Sequence, residues 1–249
     1  MTNRLTNIYR NKDFFSLCLL FLALTYSLNV KANIEKYYPY SILPSASNYG
    51  NTGILELPNS RFMKEATLRF NFSSSFPNEF TSLTASPFPW LEATYRYAEI
   101  KDEKYGPVRY SGNQTAKDKG FDLKFRLFEE GQYMPSTAVG IRDIAGTAKF
   151  ASEYLVFTKR YKNLDITTGL GWGRLGMDDN IGNPLESLDE VYKTRSLNVG
   201  QGGSFSPKAW FSGTTALLGA IEYDLYKYGL KLKIEYDTSR PAITNENEI

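Results

Sequence analysis

The amino-acid sequence predicts an all-β protein, an antiparallel up-and-down transmembrane β-barrel, complete or partial, with about nine or ten strands. Three observations predict this fold class. Apolar and polar residues alternate with a period of two along successive segments. One pair of these segments is joined by a very short turn, and the connections alternate between short and long. Aromatic residues make up 15% of the chain, which favours strands over helices.

The clearest hairpin lies at residues 154–172. Residues 154–161 are rich in β-branched and aromatic side chains, and the turn at Lys162-Asn163 is short enough to force an antiparallel return. The second segment places its large apolar residues on one face, where we expect them to form a lipid-facing row: Leu164, Ile166, Leu170 and Trp172. The sheet is therefore expected to grow by hairpins.

Other segments repeat the same alternation. It is regular at residues 66–73, 91–97, 121–127 and 228–237, and weaker at residues 80–86, 137–142 and 215–223. Together with the hairpin these segments make about nine strands, most of them long enough for the roughly 9 to 11 residues that a tilted membrane strand requires.

The connections sort by length onto two sides of the predicted sheet. In chain order they span residues 74–78, 87–90, 100–119, 129–135, 144–151, 162–163, 176–208 and 225–227. Every second connection of an up-and-down sheet emerges on the same side, and the long ones here share one side. Outer-membrane barrels have short periplasmic turns and longer external loops. A soluble β-sandwich built from Greek keys has no reason to sort its loops in this way.

Basic residues keep to the polar faces of the strands. A Lys or Arg on a lipid-facing position near the bilayer midplane costs roughly 2–4 kcal/mol. The basic residues predicted to line the polar interior, the lumen of the barrel, are Arg69, Arg96, Lys124, Arg126, Lys231 and Lys233. The same alternation is also normal for a sheet that packs on one face only, so a secreted soluble β-sandwich that binds glycans is the alternative.

The N-terminus has the features of a secretory signal peptide. A basic start precedes an apolar core at residues 14–24, and the small residue Ala32 precedes the expected cleavage before Asn33. The only cysteine, Cys18, lies inside this core, and the residues before it do not fit a lipidation site. We predict a signal peptide at 1–32, an N-terminal segment leading into the barrel at 33–65, the β-barrel domain at 66–237 and a polar tail at 238–249.

The composition excludes several classes of site. The sequence contains no histidine, so centres that need histidine as a base or as a zinc ligand are excluded. The net charge is only +2 and the basic residues are scattered, which gives no electrostatic case for nucleic acid. We predict no catalytic residue, no cofactor and no metal site.

Two local patterns have both a functional and a structural interpretation. The glycines of Gly171-Trp-Gly173-Arg-Leu-Gly176 match the spacing of a dinucleotide loop, but such a loop works only where a helix begins. We interpret them as glycines that allow a neighbouring chain to approach closely. Asp143 and Glu153 would be the acid and base of a polysaccharide-modifying enzyme, although such residues more often pair with basic side chains across a sheet.

Several short motifs resemble the YjbH family of outer-membrane proteins associated with exopolysaccharide production. They occur in order over most of residues 44–239: Gly53-Ile-Leu-Glu-Leu-Pro-Asn-Ser-Arg-Phe62, Val139-Gly-Ile-Arg-Asp-Ile-Ala-Gly146, Ser152-Glu-Tyr-Leu-Val156, Leu170-Gly-Trp-Gly173 and Gly229-Leu-Lys-Leu-Lys-Ile-Glu-Tyr-Asp237. The resemblance implies a Gram-negative outer-membrane protein working with a polysaccharide secretion system, here as a short or truncated member.

The combined prediction is a non-enzymatic outer-membrane β-barrel involved in exopolysaccharide export or assembly, with a charged lumen and long external loops. Its expected partners are outer-membrane lipid, an exopolysaccharide and other components of a polysaccharide secretion system. Its expected location is the bacterial outer membrane after signal-peptide cleavage.

Overall fold

A computed structural model describes residues 43–197 and 205–239, and the predicted signal peptide with Cys18 lies outside them. Within these ranges the protein is one antiparallel sheet of nine strands in which each strand pairs with the next along the chain. The all-β, up-and-down prediction is therefore confirmed. The strands are β1 (Thr67–Ser75), β2 (Asn78–Phe88), β3 (Leu91–Lys104), β4 (Thr115–Phe128), β5 (Ser136–Arg142), β6 (Ser152–Tyr161), β7 (Leu164–Gly173), β8 (Thr215–Leu225) and β9 (Leu230–Tyr236).

The sheet curls into a half-barrel. Its edges are β1 and β9, which do not pair with each other within the residues that the structure describes. The same residues form one sheet rather than the two packed sheets that a β-sandwich requires. The partial form of the predicted barrel is the one observed.

The connection between β3 and β4 is shorter than predicted. The prediction of a loop at 100–119 is wrong, because the pairing of the strands continues to Ile100↔Ala116 and Lys104↔Thr115. The sequence conceals this extension because charged residues occupy positions 101–104 on both faces of the strand. The remaining loop holds one helical turn, α1 (Val108–Ser111).

The longest connection, residues 174–214, contains short 3₁₀ turns where the structure describes it. The first of them, Arg174–Gly176, directly follows β7, so the helix that a dinucleotide loop needs does not begin there. A Cβ atom on Gly171 would lie 2.6 Å from the Cβ of Leu175, so the turn that follows β7 packs closely against this glycine. None of the described helices is long and apolar enough to cross a membrane.

The two faces of the sheet differ in chemistry. Along most strands, less exposed side chains on the concave face alternate with more exposed ones on the convex face. In β9, half-buried side chains alternate with exposed ones such as Leu232 and Ile234, which are 58% and 67% exposed. We call the convex set of large apolar side chains the outer row: Leu68, Phe70, Phe72, Leu83, Tyr95, Phe121, Leu127, Ile166, Leu217, Ile221, Tyr223, Leu230, Leu232, Ile234 and Tyr236. The sheet is thus apolar outside and largely polar inside.

The apolar core lies on the concave side in two clusters. One joins Tyr49 to side chains of β2, β3, β4 and the loop before β6, including Phe80 and Phe150. The other joins Ile54, Leu57 and Phe62 to side chains of β5, β6 and β8 and to Leu175. Both clusters therefore depend on residues that precede the first strand.

Candidate functional site

A segment that precedes β1 fills the concave face of the sheet. We call residues 43–63 the inner segment; they make up most of the described part of the region predicted to lead into the barrel. Its turn passes through Gly50, whose φ is +90°, and a Cβ atom at this position would lie 1.7 Å from the Oγ of Ser82. Only glycine suits both this backbone conformation and this close approach.

At one edge of the half-barrel the inner segment is bound by β1. The guanidinium of Arg69 donates hydrogen bonds to the carbonyl oxygens of Gly50 at 2.9 Å and Pro44 at 3.3 Å. The hydroxyl of Ser73 donates to the carbonyl oxygen of Asn48 at 2.6 Å. Side chains of β1 therefore satisfy backbone carbonyls of the inner segment.

At the opposite edge the inner segment is bound by β9. The carboxylate of Glu235 accepts hydrogen bonds from three consecutive backbone N–H groups, residues 55–57, at 3.0, 2.8 and 3.2 Å. Lys233 donates to the carbonyl oxygen of Ile54 at 2.8 Å. The two edges of the half-barrel are therefore connected through the inner segment rather than by strand pairing.

In the middle of the sheet, charged side chains of β3 and β4 point at the inner segment. Glu92 accepts from both the backbone N–H and the hydroxyl of Thr52, each at 2.6 Å. Lys124 donates to the carbonyl oxygens of Thr52 at 3.0 Å and Arg61 at 2.6 Å, and its Nζ lies 4.5 Å from the ring centroid of Phe62. Burial of these charges is tolerated because each is hydrogen-bonded.

At the end of the sheet that carries the short turns, Arg61 of the inner segment forms a buried ion-pair cluster. Its guanidinium donates to Glu130 at 2.6 Å and to both oxygens of Asp165 at 2.9 and 2.8 Å. The three side chains are 3%, 0% and 1% exposed. Such a bidentate pair fixes geometry as well as charge, so Arg61 locks the segment to the turn after β4 and to β7.

Toward the end that carries the long loops, Arg96 of β3 is enclosed completely. Its guanidinium carbon lies 5.4, 5.7 and 4.6 Å from the ring centroids of Tyr49, Phe80 and Phe150, respectively. Two carboxylates of β4 lie near its nitrogens, Asp118 at 3.8 Å and Asp122 at 3.7 Å. Cation–π contacts and ion pairs together compensate this buried charge.

All the basic residues predicted to line the interior project from the concave face, and the structure shows what each one contacts. Besides the contacts already described, Lys231 lies 2.8 Å from Glu222 and 2.6 Å from Asp224, and Arg126 lies 4.6 Å from the ring centroid of Phe62. The face is therefore highly charged but not uniformly basic. The compensating carboxylates that the sequence analysis did not single out are Glu92, Asp118, Asp122, Asp165, Glu222 and Asp224.

The role of the inner segment was not predicted from the sequence. Its alternation is too brief to predict a strand, and the structure gives it only isolated bridges, Ala46↔Thr52 and Gly53↔Pro58. The available signal was the family motif over residues 53–62, which contains Arg61 and Phe62.

The long connection covers part of the convex face at the loop end. Its Arg195 forms a bidentate pair with Glu153 at 2.6 and 2.9 Å. The prediction that Trp172 belongs to a lipid-facing row is wrong, because this side chain is only 3% exposed. Its ring lies 5.2 Å from that of Phe211, and its Nε1 donates to Asn183 at 3.1 Å.

Asp143 and Glu153 have different partners. Asp143 lies in the loop after β5, and its carboxylate accepts from the backbone N–H of Phe150 at 3.1 Å, whereas Glu153 pairs with Arg195. Burial raises the pKa of Asp143 to about 7; the positive charge of Arg96 opposes this shift, and the negative charges of Asp118 and Asp122 reinforce it.

This pKa predicts a pH-dependent stability. The folded protein holds the Asp143 proton more tightly than the unfolded chain, whose pKa is near 3.8. The resulting stabilisation is complete below that value and is lost as the pH rises through about 7. We expect the free energy of unfolding to fall by about 2–3 kcal/mol between pH 5 and pH 8.

Asp143→Asn tests this expectation by urea unfolding at a series of pH values. The variant should lose most of the dependence, because an amide does not titrate in this range. The matched control is Glu65→Gln, which removes the same charge at an exposed position. This variant should retain the pH dependence of the wild type. An unchanged pH profile in Asp143→Asn would contradict the assignment.

Comparison with known proteins yields two related matches. The family model YjbH, described as an exopolysaccharide biosynthesis protein, matches residues 45–243. The chain is also similar to the "Uncharacterized lipoprotein YjbH" of Escherichia coli (strain K12), with 42% identity over 201 residues, which are 80% of this chain and 29% of that protein. The chain therefore spans less than a third of the length of this relative. No solved structure matches it.

Proposed function

The chain belongs to the YjbH family of exopolysaccharide biosynthesis proteins, and from this premise we propose that it forms all or part of a non-enzymatic outer-membrane β-barrel that serves exopolysaccharide export or assembly. The outer row would face lipid, and the long connections would face the outside of the cell. The E. coli relative is named a lipoprotein, which is in keeping with a membrane-associated location.

The observation that carries this proposal is the chemistry of the outer row. Its aromatic and aliphatic side chains are 37–72% exposed, while most charges in the middle of the same strands lie on the concave face. Monomeric soluble proteins rarely expose contiguous apolar patches beyond a few hundred Å². A bilayer would cover this surface, and the alternation of apolar outside with polar inside is that of a membrane barrel.

Insertion into lipid adds a requirement at the edges of the half-barrel. The outward backbone groups of β1 and β9 would need strand partners there, because lipid offers no hydrogen bonds. Since the sheet has nine strands in up-and-down order, β1 and β9 run in the same direction. Antiparallel closure therefore needs an odd number of additional strands, for which the greater length of the E. coli relative leaves room.

The proposed role of the interior is passive. Lys231 and Lys233 are the accessible basic side chains at the β9 edge, with 24% and 18% exposed, so they are the first that an acidic sugar would meet. Arg96 and Lys124 lie beneath the inner segment and would be reached only after this segment moves. Arg69 and Arg126 complete the basic set that would contact an acidic polymer.

The test is an export assay in cells that depend on this protein. The wild-type chain should fractionate with outer membranes, require detergent for extraction and shift its gel mobility on boiling. The variant Lys231→Gln with Lys233→Gln should reach the same membrane in equal amount but lower the surface yield of an acidic exopolysaccharide several-fold.

The matched control is Lys162→Gln with Lys227→Gln, which removes the same charge at the short-turn end of the sheet and should leave export unchanged. Recovery of the wild-type chain as a soluble periplasmic protein would overturn the membrane assignment. Normal export by the Lys231 and Lys233 variant would overturn the role of the interior charges.

A further inference from the structure

A groove on the convex face lies at the end of the sheet that carries the long loops. Its volume is about 740 Å³, and its floor is formed by neighbouring positions of β3 and β4. The lining side chains that matter for its chemistry are Tyr95, Tyr97, Tyr105, Lys117, Lys119 and Phe121. Gln114 and residues 145–147 complete the lining of the groove.

One wall of the groove is apolar and continues into the outer row. Tyr95 and Phe121 stand directly opposite each other, with ring centroids 5.2 Å apart, and are 39% and 52% exposed. Toward the middle of the sheet the next convex pair is Ala93 opposite Leu123. An extended apolar chain would therefore find an unbroken apolar path from the groove along the strands.

The other wall is predominantly basic. Lys117 and Lys119 occupy successive convex positions of β4, opposite Glu99 and Tyr97 of β3. The Nζ of Lys117 donates only to the carbonyl oxygen of Thr115, at 3.1 Å, and Glu99 is bound by the hydroxyl of Thr115. Within residues 43–197 and 205–239, neither ammonium forms an ion pair, whereas Lys124, Lys231 and Lys233 of the concave face all lie beside carboxylates.

From this juxtaposition we propose that the groove binds a phosphate-bearing membrane lipid. An acyl chain would lie along Tyr95 and Phe121, and the phosphate would meet the ammonium groups of Lys117 and Lys119. Tyr97 and Gln114 also line the groove and would supply a hydroxyl and an amide as hydrogen-bond donors for the headgroup. Basic residues at a membrane surface attract anionic lipid by about 1 kcal/mol each, and the tyrosines suit the boundary between lipid and water.

This inference rests on the proposed membrane location, so its test first establishes insertion. The full chain is refolded into vesicles of phosphatidylcholine mixed with phosphatidylglycerol, and insertion is verified by heat-modifiable gel mobility. The protein is then released in mild detergent, and the lipids it retains are counted by native mass spectrometry. We expect the wild type to retain phosphatidylglycerol several-fold above its proportion in the vesicles.

Two double variants locate the site. Lys117→Gln with Lys119→Gln should insert normally and lose the enrichment, whereas Lys162→Gln with Lys227→Gln, which removes the same charge at the opposite end of the sheet, should keep it. Inorganic phosphate added in excess should not displace the retained lipid. Displacement by phosphate, or retention of a soluble acidic oligosaccharide without lipid enrichment, would overturn the lipid assignment.

The outcomes separate the two proposals. Normal insertion with equal retention of the two lipids, or equal loss in both double variants, overturns the groove and leaves the membrane barrel standing. Failure of the wild type to insert overturns both.

Discussion

Replacing Arg61 by methionine is expected to lower the free energy of unfolding by about 3–5 kcal/mol. Methionine keeps much of the side-chain volume but removes the guanidinium that binds Glu130 and Asp165 at 2.6 and 2.8 Å. The remaining basic partners are farther away, Lys159 at 3.2 Å from Glu130 and Arg160 at 3.4 Å from Asp165. Both carboxylates are almost fully buried, so water cannot replace the bidentate contacts of Arg61, and Lys159 and Arg160 compensate the two charges only from a longer distance. The expected loss is a large fraction of the stability of an ordinary domain.

Urea unfolding of the refolded protein in detergent micelles measures this loss. The signal is the difference in gel mobility between the folded and unfolded forms. Arg109→Met is the matched control, because Arg109 is exposed in the loop between β3 and β4 and its replacement should change stability by less than about 0.5 kcal/mol. Arg61→Lys should fall between the two, since an ammonium cannot form the bidentate pair. Equal unfolding midpoints for Arg61→Met and wild type would show that the inner segment is not held by this cluster.

Replacing Ile221 by lysine is expected to destabilise the protein by about 2–4 kcal/mol in phospholipid vesicles. Ile221 lies near the middle of β8, directly opposite Ile166 and Ile234 on the neighbouring strands, and its side chain is 37% exposed on the convex face. A lysine there would place an ammonium among apolar side chains and lipid. If the same face were in water, the substitution would cost no more than about 0.5 kcal/mol.

Tyr161→Lys serves as the control for depth. Tyr161 is 67% exposed at the end of β6, beside the short turn, where a lysine reaches water. Its cost should be only about 0–1 kcal/mol, because penalties on the lipid face fall toward the interface. Equal effects of the two substitutions in vesicles would contradict a lipid-facing convex surface.

The strands were predictable from the sequence because their signal is local. Period-two alternation and the short turn at Lys162-Asn163 fix the hairpins, and the turn joins β6 and β7 in the structure as predicted. The alternation also assigned the predicted interior basic residues to one face. It failed at residues 101–104, where charges on both faces conceal the continuation of β3.

The inner segment was not predictable in the same way, because its burial depends on contacts distant in sequence. Glu235 binds residues 55–57 from 178–180 positions away, and Arg61 meets Asp165 across 104 positions. No periodicity within residues 43–63 encodes such contacts. The partners of the interior charges likewise depend on strand register, as Lys231 and Glu222 meet only because β8 and β9 pair.

Trp172 illustrates a further limit of sequence reasoning. Its position in the alternation of β7 is that of a convex residue, but a distant part of the chain, including Phe211 and Asn183, covers it. Periodicity predicts the face of the sheet on which a side chain lies. It does not predict whether another part of the chain covers that face.

In the proposed arrangement, the convex face of the sheet lies in lipid while the inner segment fills the concave face. A nitroxide scan along β8, residues 216–223, in a Cys18→Ser background reconstituted in vesicles tests both parts at once. Labels at Leu217, Ile221 and Tyr223 should be accessible to oxygen dissolved in the bilayer and shielded from a water-soluble nickel reagent. Labels at Ala216, Leu218 and Ala220 should be shielded from both. High accessibility to the nickel reagent at Leu217 and Ile221 would contradict this arrangement.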